Sequence, residues 1–139
     1  MTLVVDTSVA VKWVVDEPGS DKAFELIPRS LLAPELFQAE VGNALTKKVL
    51  VRELTAEQAK LGFRRIMSRV SLVPSAPFGE RAFALALLLH HSIYDCYFLA
   101  LAEEHGPLMV TADLVFADKV RTTDRARFVY LLGEDIPDD

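Results

Sequence analysis

The chain has 139 residues, enough to bury a substantial core in a single domain spanning 1–139. Hydrophobic residues make up 51% and charged residues 25%, the balance of a compact globular protein rather than a disordered or fibrous one. A net charge of -5 argues against gripping nucleic acid by bulk electrostatics, though 15 Lys and Arg, many of them in Lys47–Arg69 and Lys119–Arg127, leave room for local contact. No apolar run reaches the roughly 18 residues that a membrane span requires. The first residues lack a basic start and a small-residue cleavage site, and lone Cys96 excludes an internal disulfide, so the expectation is a cytoplasmic protein with no membrane partner.

The chain opens with Leu3, Val4 and Val5, a β-branched run that reads as a strand buried on both faces of a parallel sheet. Asp6 stands at its exit, followed by the hydroxyls of Thr7 and Ser8, which suit the cap of a helix over Val9–Val15. Pro18-Gly19 breaks that helix, and Asp21–Ile27 predicts a second one. Leu31–Ala33 reads as a strand. Pro34 suits the first turn of a helix over residues 35–51, with Phe37, Val41, Ala44, Leu45 and Val49 on one stripe. Thr55 and Gln58 form a capping-box signature for a helix running to Val70.

Ser71–Val73 predicts a further strand, and Glu80–His90 a helix after the loop bracketed by Pro74 and Pro77. Tyr94–Glu104 is apolar nearly all round up to Ala102, so its helix should be central. Leu108–Val110 is another buried-type strand with Thr111–Asp113 as its exit. A short helix over Leu114–Val120, a strand over Phe128–Leu132 and a frayed acidic tail from Glu134 complete the reading. Strands alternate with helices and no hairpin signal appears, which predicts an α/β fold with a mostly parallel sheet covered on both faces.

Four acids fit this scheme badly. Asp6 and Asp113 each follow a buried-type strand, where ligands collect in open α/β sheets, although either could be a helix cap. Glu40 intrudes on the edge of an apolar helix stripe, unless Lys47 or Lys48 pairs with it. Asp95 opens the most apolar helix, where a Ser92–Asp95 capping box is the bland explanation. Strands leaving one sheet edge would bring Asp6 and Asp113 together, and converging carboxylates raise one another's pKa unless a cation neutralises them. Oxygen ligands with no nearby Cys or His point to Mg²⁺ or Mn²⁺ rather than zinc.

The order VVDTS, PELFQAEVGNAL, SIYDCYFLALAEEHG and LMVTADLVFA resembles the PIN domain, and most closely the VapC-type toxins of bacterial toxin–antitoxin pairs. The motifs run from residue 3 to about 117. The resemblance implies a PIN-like α/β/α sandwich around four or five short strands. It also implies a Mg²⁺-dependent endoribonuclease, with Asp6, Glu40, Asp95 and Asp113 as a site for one or two metal ions. Thr111 matches a hydroxyl that supports such sites, and Asn43 a frequent helix asparagine. Leu114–Ala117 departs from the family, in which a charged residue often follows the last acid, and Asp118 receives no role. A homodimer, an RNA substrate and a cognate VapB-like antitoxin are implied as well.

Around an acidic site the basic rim candidates are Lys12, Lys47, Lys48, Arg52, Arg64, Arg65 and Arg69, each equally readable as a solvated helix face. Trp13 reads as a packing residue and His90, His91 and His105 as structural. Two rivals remain. A haloacid-dehalogenase-like phosphatase would use Asp6 as nucleophile but wants a second acid where Ser8 stands, and a strand-end lysine where Lys119 lies in a predicted helix. A non-catalytic binding module would need all four acids to be caps.

Overall fold

The computed structural model describes residues 2–138. Its sheet contains β1 (Thr2–Val5), β2 (Ser30–Pro34), β3 (Val70–Val73), β4 (Leu108–Thr111) and β5 (Val129–Leu131). The spatial order is β3–β2–β1–β4–β5, and every neighbouring pair runs parallel. Leu3, Val4 and Val5 are fully buried although successive side chains point to opposite faces, so both faces of β1 are covered. The chain builds outward from β1 to β2 and β3, then returns to the other side of β1 with β4. That reversal makes the carboxyl ends of β1 and β4 the topological switch point, where an open α/β sheet leaves a crevice.

Among the described residues, seven α-helices connect and cover the strands: α1 (Thr7–Ala10), α2 (Ser20–Phe24), α3 (Leu36–Leu50), α4 (Ala56–Arg69), α5 (Gly79–Leu89), α6 (Ile93–His105) and α7 (Leu114–Arg121). The central helix is α6, as its nearly all-round apolar stretch up to Ala102 predicts. Cys96 and Phe98–Ala102 are fully buried, and the helix lies against β1, β2 and β4. On α3 the stripe residues Phe37, Val41 and Leu45 are buried. Thr55 and Gln58 close the expected capping box at the start of α4. Among the described residues, no single helix is long and apolar enough to cross a membrane.

Three local expectations are corrected. The first helix begins at Thr7 rather than Val9 and tightens into a 3₁₀ turn over Val11–Trp13. Pro34 ends β2 beside Val73 instead of opening the next helix. A terminal strand position tolerates its missing donor, and the ladder continues through Glu35 N–H to the Val73 carbonyl at 2.7 Å. The acidic tail is held rather than frayed as far as it is described. Arg29 donates to the Pro137 carbonyl at 3.1 Å and pairs with Asp138 at 3.2 Å, and Ile136 packs on the core. Asp139 lies outside the described residues.

One aromatic contact sets the spacing of α3 and α6. Phe37 and Phe98 meet edge to face, with centroids 6.3 Å apart and both rings buried. Glu40 stands three residues after Phe37 and Asp95 three before Phe98, on the same helix faces. Phe98→Ala should therefore cost about 3–5 kcal/mol in urea-denaturation measurements. A loss under about 1 kcal/mol would mean that this contact does not anchor the two helices.

Candidate active site

Asp6 directly follows β1, and its N–H donates to the Val110 carbonyl on β4 at 3.0 Å, extending the ladder by one residue. The side chain is only 2% exposed. It does not cap α1, since no side-chain cap bond forms there. Instead Oδ2 accepts from Ser8 Oγ at 2.6 Å and from Thr111 Oγ1 at 2.9 Å. Both hydroxyls are fixed in turn. Ser8 Oγ accepts from Ala112 N–H at 3.0 Å, and Thr111 Oγ1 from Asp113 N–H at 3.1 Å. Burial pushes the Asp6 carboxyl up to about 6, helped by the Asp95 charge and opposed by the two hydroxyl donors.

Glu40 reaches the same place from α3. Thr7 Oγ1 donates to its Oε1 at 3.0 Å, so Thr7, like Ser8, serves an acid rather than the helix end. Desolvation and the charges of Asp6 and Asp95 raise the Glu40 carboxyl to about 7. The lysine explanation fails, because Lys48 pairs with Glu17 and Glu53 instead and the exposed Lys47, among the described residues, forms no ion pair with Glu40. Asp95, in the first turn of α6, makes no capping box with Ser92. Its Oδ2 lies 2.6 Å from His91 Nε2. Burial raises the Asp95 carboxyl, and the Asp113 charge adds to this, while the hydrogen bond and charge of His91 oppose it.

Asp113 follows β4 and does cap α7, with Oδ1 accepting from Phe116 N–H at 3.0 Å. It also belongs to the site. Ligand atoms of His91, Asp95 and Asp113 lie within 4.8 Å of one another. The sheet therefore brings together all four acids singled out by the sequence, together with Thr111. Asn43 and Asp118 are exposed.

His91, expected to be structural, is a member of this cluster, which also corrects the expectation that no histidine lies nearby. Its position four residues before Asp95 was the available signal, but it sits in the turn before α6, where spacing alone does not define a face. Ser8 and Lys119 are further members of the site's surroundings that the sequence does not single out for it. Trp13 and His105 remain packing residues. Trp13 Nε1 donates to the Ala23 carbonyl at 2.8 Å, and His105 lies against Phe78 at 5.9 Å. Among the rim candidates, Lys12 is held by Glu17 at 3.1 Å, whereas Lys47, Arg52, Arg64, Arg65 and Arg69 are exposed.

The donor set suits a hard divalent cation. Several carboxylates converge at low exposure, and among the described residues no lysine or arginine forms an ion pair with any of them. Carboxyls pushed up toward neutrality by burial and by one another's charge are what a divalent cation would bring back down. The caps-only module is excluded by Asp6 and Asp95. The phosphatase reading also lacks its lysine, since Lys119 contacts His90 and His91.

The chain belongs to the PIN domain family, whose model matches residues 3–121. Among its relatives, Ribonuclease VapC3 of Pyrobaculum aerophilum is 32% identical over 124 residues, covering 86% of this chain and 95% of that protein. Ribonuclease VapC1 of Mycobacterium tuberculosis is 31% identical over 108 residues, covering 72% and 80% respectively. Among solved structures, PAE2754 from P. aerophilum aligns with a TM-score of 0.70 at 21% identity, over 95% of this chain and 90% of that one. M. tuberculosis VapC20, titled a sarcin-ricin loop cleaving toxin, aligns with a TM-score of 0.65 at 17% identity, over 84% and 93%. Both share the fold.

The raised carboxyls make stability depend on pH with a definite sign. Unfolded, Asp6 and Glu40 ionise near 3.8 and 4.5, whereas folded they keep their protons to about 6 and 7. The folded chain thus binds more protons over that interval, and stability falls as pH rises through it. In a chelating buffer, Asp6→Asn should exceed the native chain in stability by on the order of 3 kcal/mol at pH 8, converging with it near pH 4. Denaturant midpoints of the two proteins across this range check the sign, and an Asn variant less stable at pH 8 would contradict it.

Proposed function

We propose that this chain is a metal-dependent endoribonuclease, acting as the toxin of a type II, VapBC-like toxin–antitoxin pair in the cytoplasm. The observation that carries the reading is the convergence of Asp6, Glu40, Asp95 and Asp113 at the switch point, with carboxyls that ionise reluctantly when no cation is present. Ribonuclease is the activity named for the VapC relatives. Asp6, Asp95 and Asp113 would hold Mg²⁺, with Mn²⁺ as a substitute, and Glu40 would act through water. A bound divalent cation supplies Lewis-acid stabilisation of a phosphate oxygen and a water of lowered pKa.

The chain's own residues organise the site. Ser8 and Thr111 hold Asp6 Oδ2 from two sides, and Thr7 holds Glu40 Oε1, so neither carboxyl has to be ordered when substrate arrives. Exposed Lys47, Arg52, Arg64, Arg65 and Arg69 offer phosphate contacts outside the acidic centre.

Two surfaces support the partners. An apolar groove of about 530 Å³ between α3 and α4, lined by Leu45, Val49, Leu50, Ala59 and Phe63, fits the amphipathic segment of an antitoxin. Phe83, Leu87 and Leu88 on α5 are exposed and would be covered in a homodimer. The solved neighbours include a toxin–antitoxin complex from Klebsiella pneumoniae, aligned at TM-score 0.67 and 17% identity.

Asp6→Asn should reduce Mg²⁺-dependent RNA cleavage by more than the roughly 10–100-fold that loss of an outer-shell partner costs. Its circular dichroism spectrum should remain native. Cleavage that survives the substitution at full rate would exclude this site. Induction of the native chain in bacteria should arrest growth, while Asp6→Asn should not.

A further inference from the structure

His91 lies between a cation and a carboxylate. Its Nε2 is 2.6 Å from Asp95 Oδ2, and its Nδ1 is 3.2 Å from Lys119 Nζ. Lys119 is itself anchored, donating to the His90 carbonyl at 2.9 Å. His90 can present that carbonyl because it adopts the left-handed conformation, with φ of 50°, where α5 ends. The imidazole also rests on Phe116, with ring centroids 4.9 Å apart, and is nearly buried.

An ammonium has three donors and no acceptor, so the ring nitrogen facing Lys119 must be the unprotonated one. The proton of a neutral imidazole then belongs on Nε2 and points at Asp95. A histidine in that state donates to the carboxylate, and its Nε2 has no lone pair for a metal. For Nε2 to act as a ligand the proton would have to move to Nδ1, directly against the Lys119 ammonium. The lysine therefore separates two roles that the short His91–Asp95–Asp113 spacing alone would allow.

We propose that His91 is a positioning residue, held in its Nε2–H tautomer by Lys119, that orients the Asp95 carboxylate for a cation and stays out of the coordination shell. This rests on the metal-dependent reading above. It follows that the site keeps an all-oxygen shell, and with it the hard-cation preference, although a histidine lies within 4.8 Å of two of its acids.

The test uses Mn²⁺ as the probe with the native chain, His91→Leu and His91→Gln, all confirmed as folded by thermal melts. Glutamine can accept from Lys119 through its carbonyl and donate to Asp95 through its amide. Calorimetric Mn²⁺ affinity should fall about 10–100-fold in His91→Leu and stay within about threefold of native in His91→Gln. Spin-echo modulation spectra of Mn²⁺ bound to the native chain should show no directly coordinated nitrogen. Nitrogen-15 spectra of the metal-free chain above pH 8 should find the His91 proton on Nε2. Unchanged affinity in His91→Leu, equal loss in both variants, coordinated nitrogen that disappears in His91→Gln, or an Nδ1–H tautomer would each overturn the proposal. Absence of Mn²⁺ binding to the native chain would instead remove the metal reading on which it stands.

Discussion

The structure depends on keeping one carboxylate, that of Asp6, out of water at the exit of the innermost strand. Burying an ionised carboxylate costs several kcal/mol unless hydrogen bonds or a cation offset it. Two hydroxyls, from Ser8 and Thr111, supply part of that offset, and each is itself fixed by a backbone N–H beyond the end of β4. The parallel register of β1 with β4 is what makes the arrangement possible, since it sets Val5 beside Val110 and so brings Thr111 level with Asp6. A slip of that register would carry Thr111 away from the acid it stabilises.

The other acids are recruited by packing. Glu40 and Asp95 are carried in on α3 and α6, whose approach is set by Phe37 against Phe98. Asp113 arrives with β4 and keeps one oxygen for the helix it starts. The result is a core that stabilises the fold and a mouth that works against it, since Asp6 and Glu40 resist ionisation while Asp95 and Asp113 add like charge. Each acid has its own handle: hydroxyls for Asp6 and Glu40, an imidazole for Asp95 and a backbone N–H for Asp113. Like charges crowded into a switch-point crevice are what a bound divalent cation would offset, and a set of helix caps would not require them.

Much of this was legible in the sequence because the relevant signals are local. The aliphatic run Leu3–Val5 reads as a strand of a covered sheet and the nearly all-apolar stretch of α6 as a central helix, and both are buried as expected. Asp6 and Asp113 were conspicuous because both stand at strand exits. What could not be read was where each side chain points. Caps and ligands use the same residue types at the same positions, and Asp113 proves to be a cap that also faces the site, while Asp6 is no side-chain cap at all. The role of His91 is hidden in the sequence because it depends on the left-handed turn at His90 and on Lys119, which is 28 residues away. The order of the tail is hidden for a similar reason, since the arginine that holds it lies 108 residues earlier.

The central claim is that the four acids tolerate one another because a divalent cation belongs among them. Anomalous diffraction from crystals soaked in Mn²⁺ tests this most directly. The account predicts a manganese peak about 2 Å from carboxylate oxygens of Asp6 and Asp95, absent in Asp6→Asn. Native crystals that diffract well and show no manganese there, or show it only at surface acids, would contradict it.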